Sequence, residues 1–322
     1  MQINNEKILF SPSDLIDFMD SSFVSHMERL VLTNPEFKKF IDPVDPLLSA
    51  LQSKGYAHEE NFLKSLEFPN NQICKIKKTN KEQMFSETKT AMNEGKEIIY
   101  QAYLANEQFG GIADFLKKIS GPSSLGNYHY EVWDTKLSKK MKPYFAIQLS
   151  CYSELLHEIQ KKYPERFSII LGNNEKISLK LSDYYSYYTE LKNNFFQFHK
   201  DWKPNNFPDP GDFSNNGKWS NYAESLLQEK RHLRLVANIT KGQIRALKSK
   251  GISTIDDLAE TKKMSIPKIN TFVLDRLKLQ AKLQIESENK DTPLYNICNV
   301  LVTEDHLVKN DFNNWIKYFY PN

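Results

Sequence analysis

The sequence predicts an α/β protein, with a mixed sheet flanked by helices and a small all-α domain after it. Three observations predict this. Residues 97–137 read as three strands in succession. A long helix and a second pair of short strands follow directly. After a Pro/Asn/Gly-rich stretch over 203–222 the pattern becomes purely helical. At 322 residues the chain has room for one large domain or two smaller ones.

Taken in order, Ser13 is a candidate N-cap for a first helix whose apolar stripe begins at Leu15, Phe18 and Met19. Pro43 and Pro46 break the chain. A helix is expected from about 45 to 67, with Leu47, Leu51, Gly55, His58, Phe62 and Leu66 on its inner face. That phase points His58 inward although Glu59 and Glu60 beside it are polar. A second helix is expected over 81–93, carrying Met84, Phe85, Thr88 and Met92, with Gly95 suited to its end.

Strands are expected over 97–104, 109–119 and 128–137. Gly110 and Gly111 mark a bulge or a close backbone approach. Alternation puts Tyr130, Val132, Asp134 and Lys136 on one face of the third strand. The helix over 143–161 turns Phe145, Gln148, Leu149, Tyr152, Leu155, Leu156 and Ile159 inward, so Gln148 and Tyr152 also face the sheet. FSIIL and KISLK form a hairpin, and a Tyr/Phe-rich helix runs over 182–202. The expected division is a core over 1–202, a connector over 203–231, a helical domain over 232–290 and a tail over 291–322.

Composition excludes several classes. A net charge of +3 is too small to argue for a polyanion partner, so any such case rests on local charge. The three cysteines, Cys74, Cys151 and Cys298, are far apart and form no CxxC pair. This excludes a disulfide framework or a cysteine-rich metal site. MQINNEKILF lacks a basic stretch followed by an apolar one, and no apolar run approaches ~18 residues, so the expected address is the cytoplasm, away from membranes.

The residues that carry chemistry lie between Phe109 and Tyr152. Asp114 is embedded in apolar sequence (GGIADFL), and Asp134 follows YEVW. Two acids on buried strands must be paired or metal-bound. Adjacent-strand carboxylates can clamp one divalent cation, and a lysine two residues after the second acid lies on the same face. Asp114, Asp134 and Lys136 suit the hydrolysis of a phosphodiester. That reaction needs a metal to polarise the phosphate, hard oxygen ligands to hold it and a cation near the nucleophile. Asp-x-Lys is also common on solvated strand ends. A lone inward histidine such as His58 is often a hydrogen-bonded core residue, but here it precedes the acid–lysine array and is a candidate ligand. Gln148, on an otherwise apolar stripe, needs a polar partner in the site or on a nucleic acid.

The series GYAHEENFL, GGIADFL, YEVWDTK and QLSCYSELL resembles the RecB-type nuclease domain of the PD-(D/E)xK superfamily, over about residues 9–290. Within it, the chain looks closest to the RecB-like nucleases at the N-terminus of bacterial nuclease–helicase proteins. The resemblance implies a restriction-endonuclease-like sheet. It further implies that His58, Asp114, Asp134 and the Thr135 carbonyl bind Mg²⁺ or Mn²⁺, and that Lys136 orients or activates water. Gln148 and Tyr152 match a QxxxY pattern that helps position DNA.

Many such relatives hold an iron–sulfur cluster on four cysteines. Here those positions read Ser21, Ser214, Gly217 and Ala223, so no cluster is expected, and closure falls to packing around Trp219 and Phe213. ITKGQIRALKSKGISTIDDLAE resembles a helix-hairpin-helix module, whose hairpin amides would meet DNA phosphate at Lys248, Lys250 and Gly251. Arg245, Lys262, Lys263 and Lys268 add local charge. The alternative for this stretch is a small helical domain with solvated lysines.

The expectation is a metal-dependent DNA nuclease, of exonuclease type on single-stranded or end-bearing DNA, in repair, recombination or defence. The alternative is a catalytically inactive DNA-binding adaptor or helicase-complex subunit. Expected partners are DNA and a separately encoded helicase.

Overall fold

The computed structural model describes residues 1–4, 7–262 and 264–296. Lys263 and most of the expected tail, from residue 297 on, lie outside the described residues. The chain divides into two compact units, Met1–Glu229 and Lys230–Asn322, so residues 203–229 of the expected connector fall in the first and residues 230 and 231 in the second.

A two-stranded antiparallel ribbon opens the first unit, β1 (Gln2–Asn4) and β2 (Lys7–Leu9). Helices α1 (Pro12–Asp20) and α2 (Ser22–Thr33) follow. The first is capped by Ser11, not by Ser13 as the sequence suggests, because Ser11 and Asp14 close a reciprocal capping box. Ser21 caps the second. Next come α3 (Pro46–Ser65), β3 (Ile73–Lys75), α4 (Lys81–Asn93), β4 (Ile98–Ala105), β5 (Gly110–Ser123) and β6 (Gly126–Lys136). The unit continues with α5 (Pro143–Gln160), β7 (Arg166–Leu171), β8 (Lys176–Lys180), α6 (Ser182–Lys200) and α7 (Ser220–Glu229).

Strands β3 to β8 form one mixed sheet in chain order. The pairs β4–β5, β5–β6 and β7–β8 are antiparallel hairpins, which short turns can connect. The pairs β3–β4 and β6–β7 are parallel, and each needs a crossover, supplied by α4 and α5. One face of the sheet carries the main core. There Leu116, Tyr130, Val132 and Ile169 pack with Phe145, Leu149, Leu155 and Leu156 of α5. Helices α1 and α6 cover the outer side of α5, which explains why α5 is buried on more than one stripe. On the opposite face α3 crosses β6, and Leu63 packs with Ile98 and Phe115.

Two expectations change here. Strands β1, β2 and β3 are three residues each, too short to show a period. The inner face of α3 is also displaced. Leu47, Leu48 and Leu51 are exposed, and the buried residues are Glu59 and Leu63. Only the second half of that helix lies on the sheet, so apolar spacing in the first half does not report a core.

The close approach expected at the paired glycines is present. A Cβ on Gly111 would stand 2.8 Å from the Tyr152 hydroxyl and 2.9 Å from Pro12, so α1 and α5 both press on the start of β5. Trp219 is fully buried against Phe23 and Met27 of α2, and Phe213 is partly buried in the same cluster. Trp219 Nε1 donates to Glu28 Oε1 at 2.7 Å, and Ser21 Oγ donates to Asn216 Oδ1 at 3.1 Å.

The second unit holds α8 (Lys241–Lys248), α9 (Ile255–Glu260) and α10 (Thr271–Ser287). Its own core includes Leu233, Ile244, Leu247, Ile252, Leu258, Leu274 and Leu277.

Candidate active site

The sheet places the acids before any ligand is considered. The β5–β6 ladder ends at Phe115–Trp133, and Asp114 and Asp134 are the next residues of the two strands beyond that last pair. Opposed antiparallel residues share a face. Their neighbours Leu116 and Val132 pack towards α5, which fixes that face. Asp134 is 3% exposed, and Asp114 is half-buried as a residue with its carboxyl turned into the protein.

Each acid is held differently. Asp114 Oδ2 accepts from the Thr135 amide at 2.9 Å and from Thr135 Oγ1 at 3.0 Å. Asp134 Oδ2 lies 2.6 Å from Lys136 Nζ, so the ammonium is the partner of this buried carboxylate. Lys136 Nζ also donates to Gln148 Oε1 at 3.0 Å. The ammonium is therefore anchored from β6 and α5, as strand and helix phase predict.

Burial, the facing Asp134 and then Glu59 push the Asp114 carboxyl well above the usual carboxylate range. Burial opposes the charge on Lys136, but the Asp134 and Asp114 carboxylates outweigh it and hold the ammonium above its ordinary value. Burial also raises Glu59, against hydrogen bonds from Gln101 and Tyr100, and Asp134 adds to the rise. Three acids thus act on one another across the sheet.

Glu59 is the residue that sequence spacing missed. It is buried, accepts from Gln101 Nε2, and comes from α3 on the opposite side of the strands. Its signal was its place four residues before Leu63, in the half of α3 that does reach the sheet. His58 also faces the sheet, but it reaches β7. Its Nε2 is 3.5 Å from the Ile170 carbonyl oxygen, and Ile170 pairs with Thr135. The structure therefore gathers Asp114, Asp134, Thr135, Lys136 and Gln148, and leaves His58 one strand away. Tyr152 is buried, and its hydroxyl donates to the Ile112 carbonyl at 2.8 Å, which fixes the start of β5 two residues before Asp114.

The donors suit a hard divalent cation. They are carboxylate oxygens, and a cation would offset both the burial and the acid–acid repulsion that raise Asp114. Among the described residues, however, no three His, Cys, Asp or Glu side chains stand close enough together to hold a metal ion. Further oxygens from main chain or water would complete a coordination sphere built on the two aspartates.

In the second unit the α8–α9 turn carries exposed Lys250 and Gly251, with Gly251 at φ +78°. The amides of Lys250 and Ile252 donate to Leu247 O, and that of Gly251 donates to Lys248 O. Those of Ser253 and Thr254 donate to Asp257 Oδ2. The hairpin amides expected to meet phosphate are therefore engaged within the unit, and the exposed Lys250, Arg245, Lys262 and Lys268 carry the local charge.

No protein-family profile matches the chain, and no curated protein matches it either.

Proposed function

We propose that the chain is a metal-dependent DNA nuclease that hydrolyses phosphodiester bonds, as its resemblance to RecB-type nucleases implies. The observation that carries this reading is Asp114 and Asp134 together at the end of the β5–β6 ladder, with Lys136 2.6 Å from the buried Asp134 oxygen. The strand–strand–strand–helix–strand run from β4 to β7 supports a restriction-endonuclease-like core. The two helices joined at Gly251 support a helix-hairpin-helix-like second unit that holds DNA through lysine side chains.

Asp114, Asp134 and the Thr135 carbonyl are the proposed ligands of Mg²⁺ or Mn²⁺, with His58 and Glu59 as the α3 groups nearest to completing the set. Such an ion polarises the phosphate and makes a bound water a better nucleophile. Lys136 orients that water and offsets negative charge as it develops. Gln148 holds the lysine in place, and Tyr152 fixes the strand that carries Asp114. The proposed setting is the cytoplasm, with a helicase as partner.

The test uses end-labelled single-stranded and duplex oligonucleotides with Mg²⁺ or Mn²⁺. Wild type is expected to cleave at least one of them. Asp134→Asn is expected to lose cleavage by a factor of about a thousand or more while keeping its circular dichroism. Absence of cleavage of every form by the wild type would sink the reading.

A second reading, a DNA-binding adaptor without catalysis, is favoured by the separation of His58 from the two acids. Calorimetric titration with Mn²⁺ separates the two readings. Heat of binding that disappears in Asp114→Ala supports the nuclease, and no heat in the wild type supports the adaptor.

A further inference from the structure

The first half of α3 stands clear of the sheet and leads to Glu59. Three residues before that acid, and two before His58, Tyr56 is 64% exposed, so most of a large aromatic ring faces solvent beside the site. Lys78, an exposed lysine just beyond β3, holds its ammonium 5.6 Å from the Tyr56 ring centroid. The same charge lies close enough to act on the Glu59 carboxyl. Lys78 therefore lies near both the exposed ring and Glu59. Lys54, Lys75 and Lys77 are exposed on the same two segments, and the nearby Glu60 is paired with Lys64 at 3.4 Å.

We infer that Tyr56 and Lys78 form the entry platform for a single DNA strand, Tyr56 stacking on an unpaired base and Lys78 taking the adjoining phosphate. The inference rests on the proposed nuclease reading and adds the form of its substrate. A ring projecting from a helix can lie flat only on a base whose face is uncovered. Inside a duplex both faces are covered by neighbouring pairs, whereas a single strand offers them freely. Lysine charge alone would not distinguish the two forms, since both carry phosphate.

The test is fluorescence anisotropy of the full chain with labelled oligo(dT) in EDTA, where no metal-dependent cleavage occurs. A dumbbell duplex closed at both ends is the competitor. Tyr56→Ala is expected to weaken oligo(dT) binding about tenfold and to leave dumbbell binding unchanged. Tyr56→Phe is expected to restore it, since stacking uses the ring and not the hydroxyl. Lys78→Ala is expected to lower the salt dependence of oligo(dT) binding by about 0.7 in log–log slope. Thermal melts equal to wild type show that these exposed positions leave the fold intact. The platform is overturned by wild-type affinity in Tyr56→Ala, by equal loss on both DNA forms, or by a Tyr56→Phe variant as weak as the alanine. Cleavage of the same oligonucleotide with Mn²⁺ is scored separately. Cleavage that persists with unaltered binding in Tyr56→Ala removes the platform alone, and wild-type binding without cleavage removes the nuclease reading alone.

Discussion

Lys136 is held by a carboxylate on its own strand and by an amide from the helix across from it. An ammonium on four methylenes has many rotamers, and Gln148 Oε1 at 3.0 Å selects one of them. Gln148→Leu keeps the size of the side chain and removes that acceptor. We expect it to lower kcat for DNA cleavage about ten- to a hundredfold, with KM little changed and the far-ultraviolet spectrum intact. A rise in KM with kcat preserved would instead show that Gln148 holds the substrate. Tyr152 stands further back. Its hydroxyl fixes Ile112, so its influence on Asp114 passes through the β5 backbone.

At the scale of elements, the contact between α2 and α6 depends on uncharged histidines. His199 Nε2 lies 3.1 Å from Ser25 Oγ, and the Arg29 guanidinium donates to the His199 carbonyl and lies 3.3 Å from its Nδ1. A protonated ring would turn an N–H onto that guanidinium. Burial, and then Arg29, lower His199 to about 3, and burial lowers His26 to about 4. Folded values below the ordinary imidazole value of about 6.5 mean that the unfolded chain binds more protons under acid. This contribution is complete above about pH 6.5 and is lost as pH falls towards 4 and 3. For His26 it amounts to about 3 kcal/mol at most. Asp17, raised to about 6 by burial and by the neighbouring Asp14 and Glu28, works in the opposite sense, since its protonation favours the folded state. Urea midpoints followed from pH 7 to pH 4 are expected to fall, and the fall to be shallower in His199→Gln. Equal slopes for the two proteins would contradict the assignment.

At the scale of the molecule, Trp219 joins the far end of the first unit to its second helix by packing and by an indole hydrogen bond to Glu28. Trp219→Ala empties a fully buried site and leaves Glu28 without its indole donor. We expect a loss of about 3–5 kcal/mol in urea unfolding of the full chain. Much of this architecture was legible in the sequence. The strands β4 to β6 and helix α5 show their periods because each has one face on a deep core. Asp134, Lys136 and Gln148 follow from that phase. The remainder was hidden for physical reasons. Three-residue strands carry no period. Solvent-facing leucines on α3 imitate a core stripe, and a buried acid such as Glu59 has the same letter as an exposed one. Only tertiary contact separates Glu59, which bonds Gln101 within electrostatic reach of the acids, from His58, which meets Ile170.

The strand beside the acids has an irregularity of its own. Gln101 has φ +57°, a left-handed conformation that a non-glycine residue adopts at a cost of about 1–2 kcal/mol. The β4–β5 ladder pairs Tyr100 with Phe115 and Ala102 with Ala113 but skips Gln101 and Asp114 between them. The interruption frees the Gln101 side chain to bond Glu59. It also means that the sheet is least cross-linked where its acids gather. Amide hydrogen exchange should record this as a local opening, with Gln101 and Asp114 exchanging faster than Ala102 and Phe115 on either side. Uniform protection along both strands would show that the gap is closed in solution. A fast-exchanging notch inside a slow-exchanging sheet would give the strands room to adjust around an incoming phosphate while the ladder on either side holds its register.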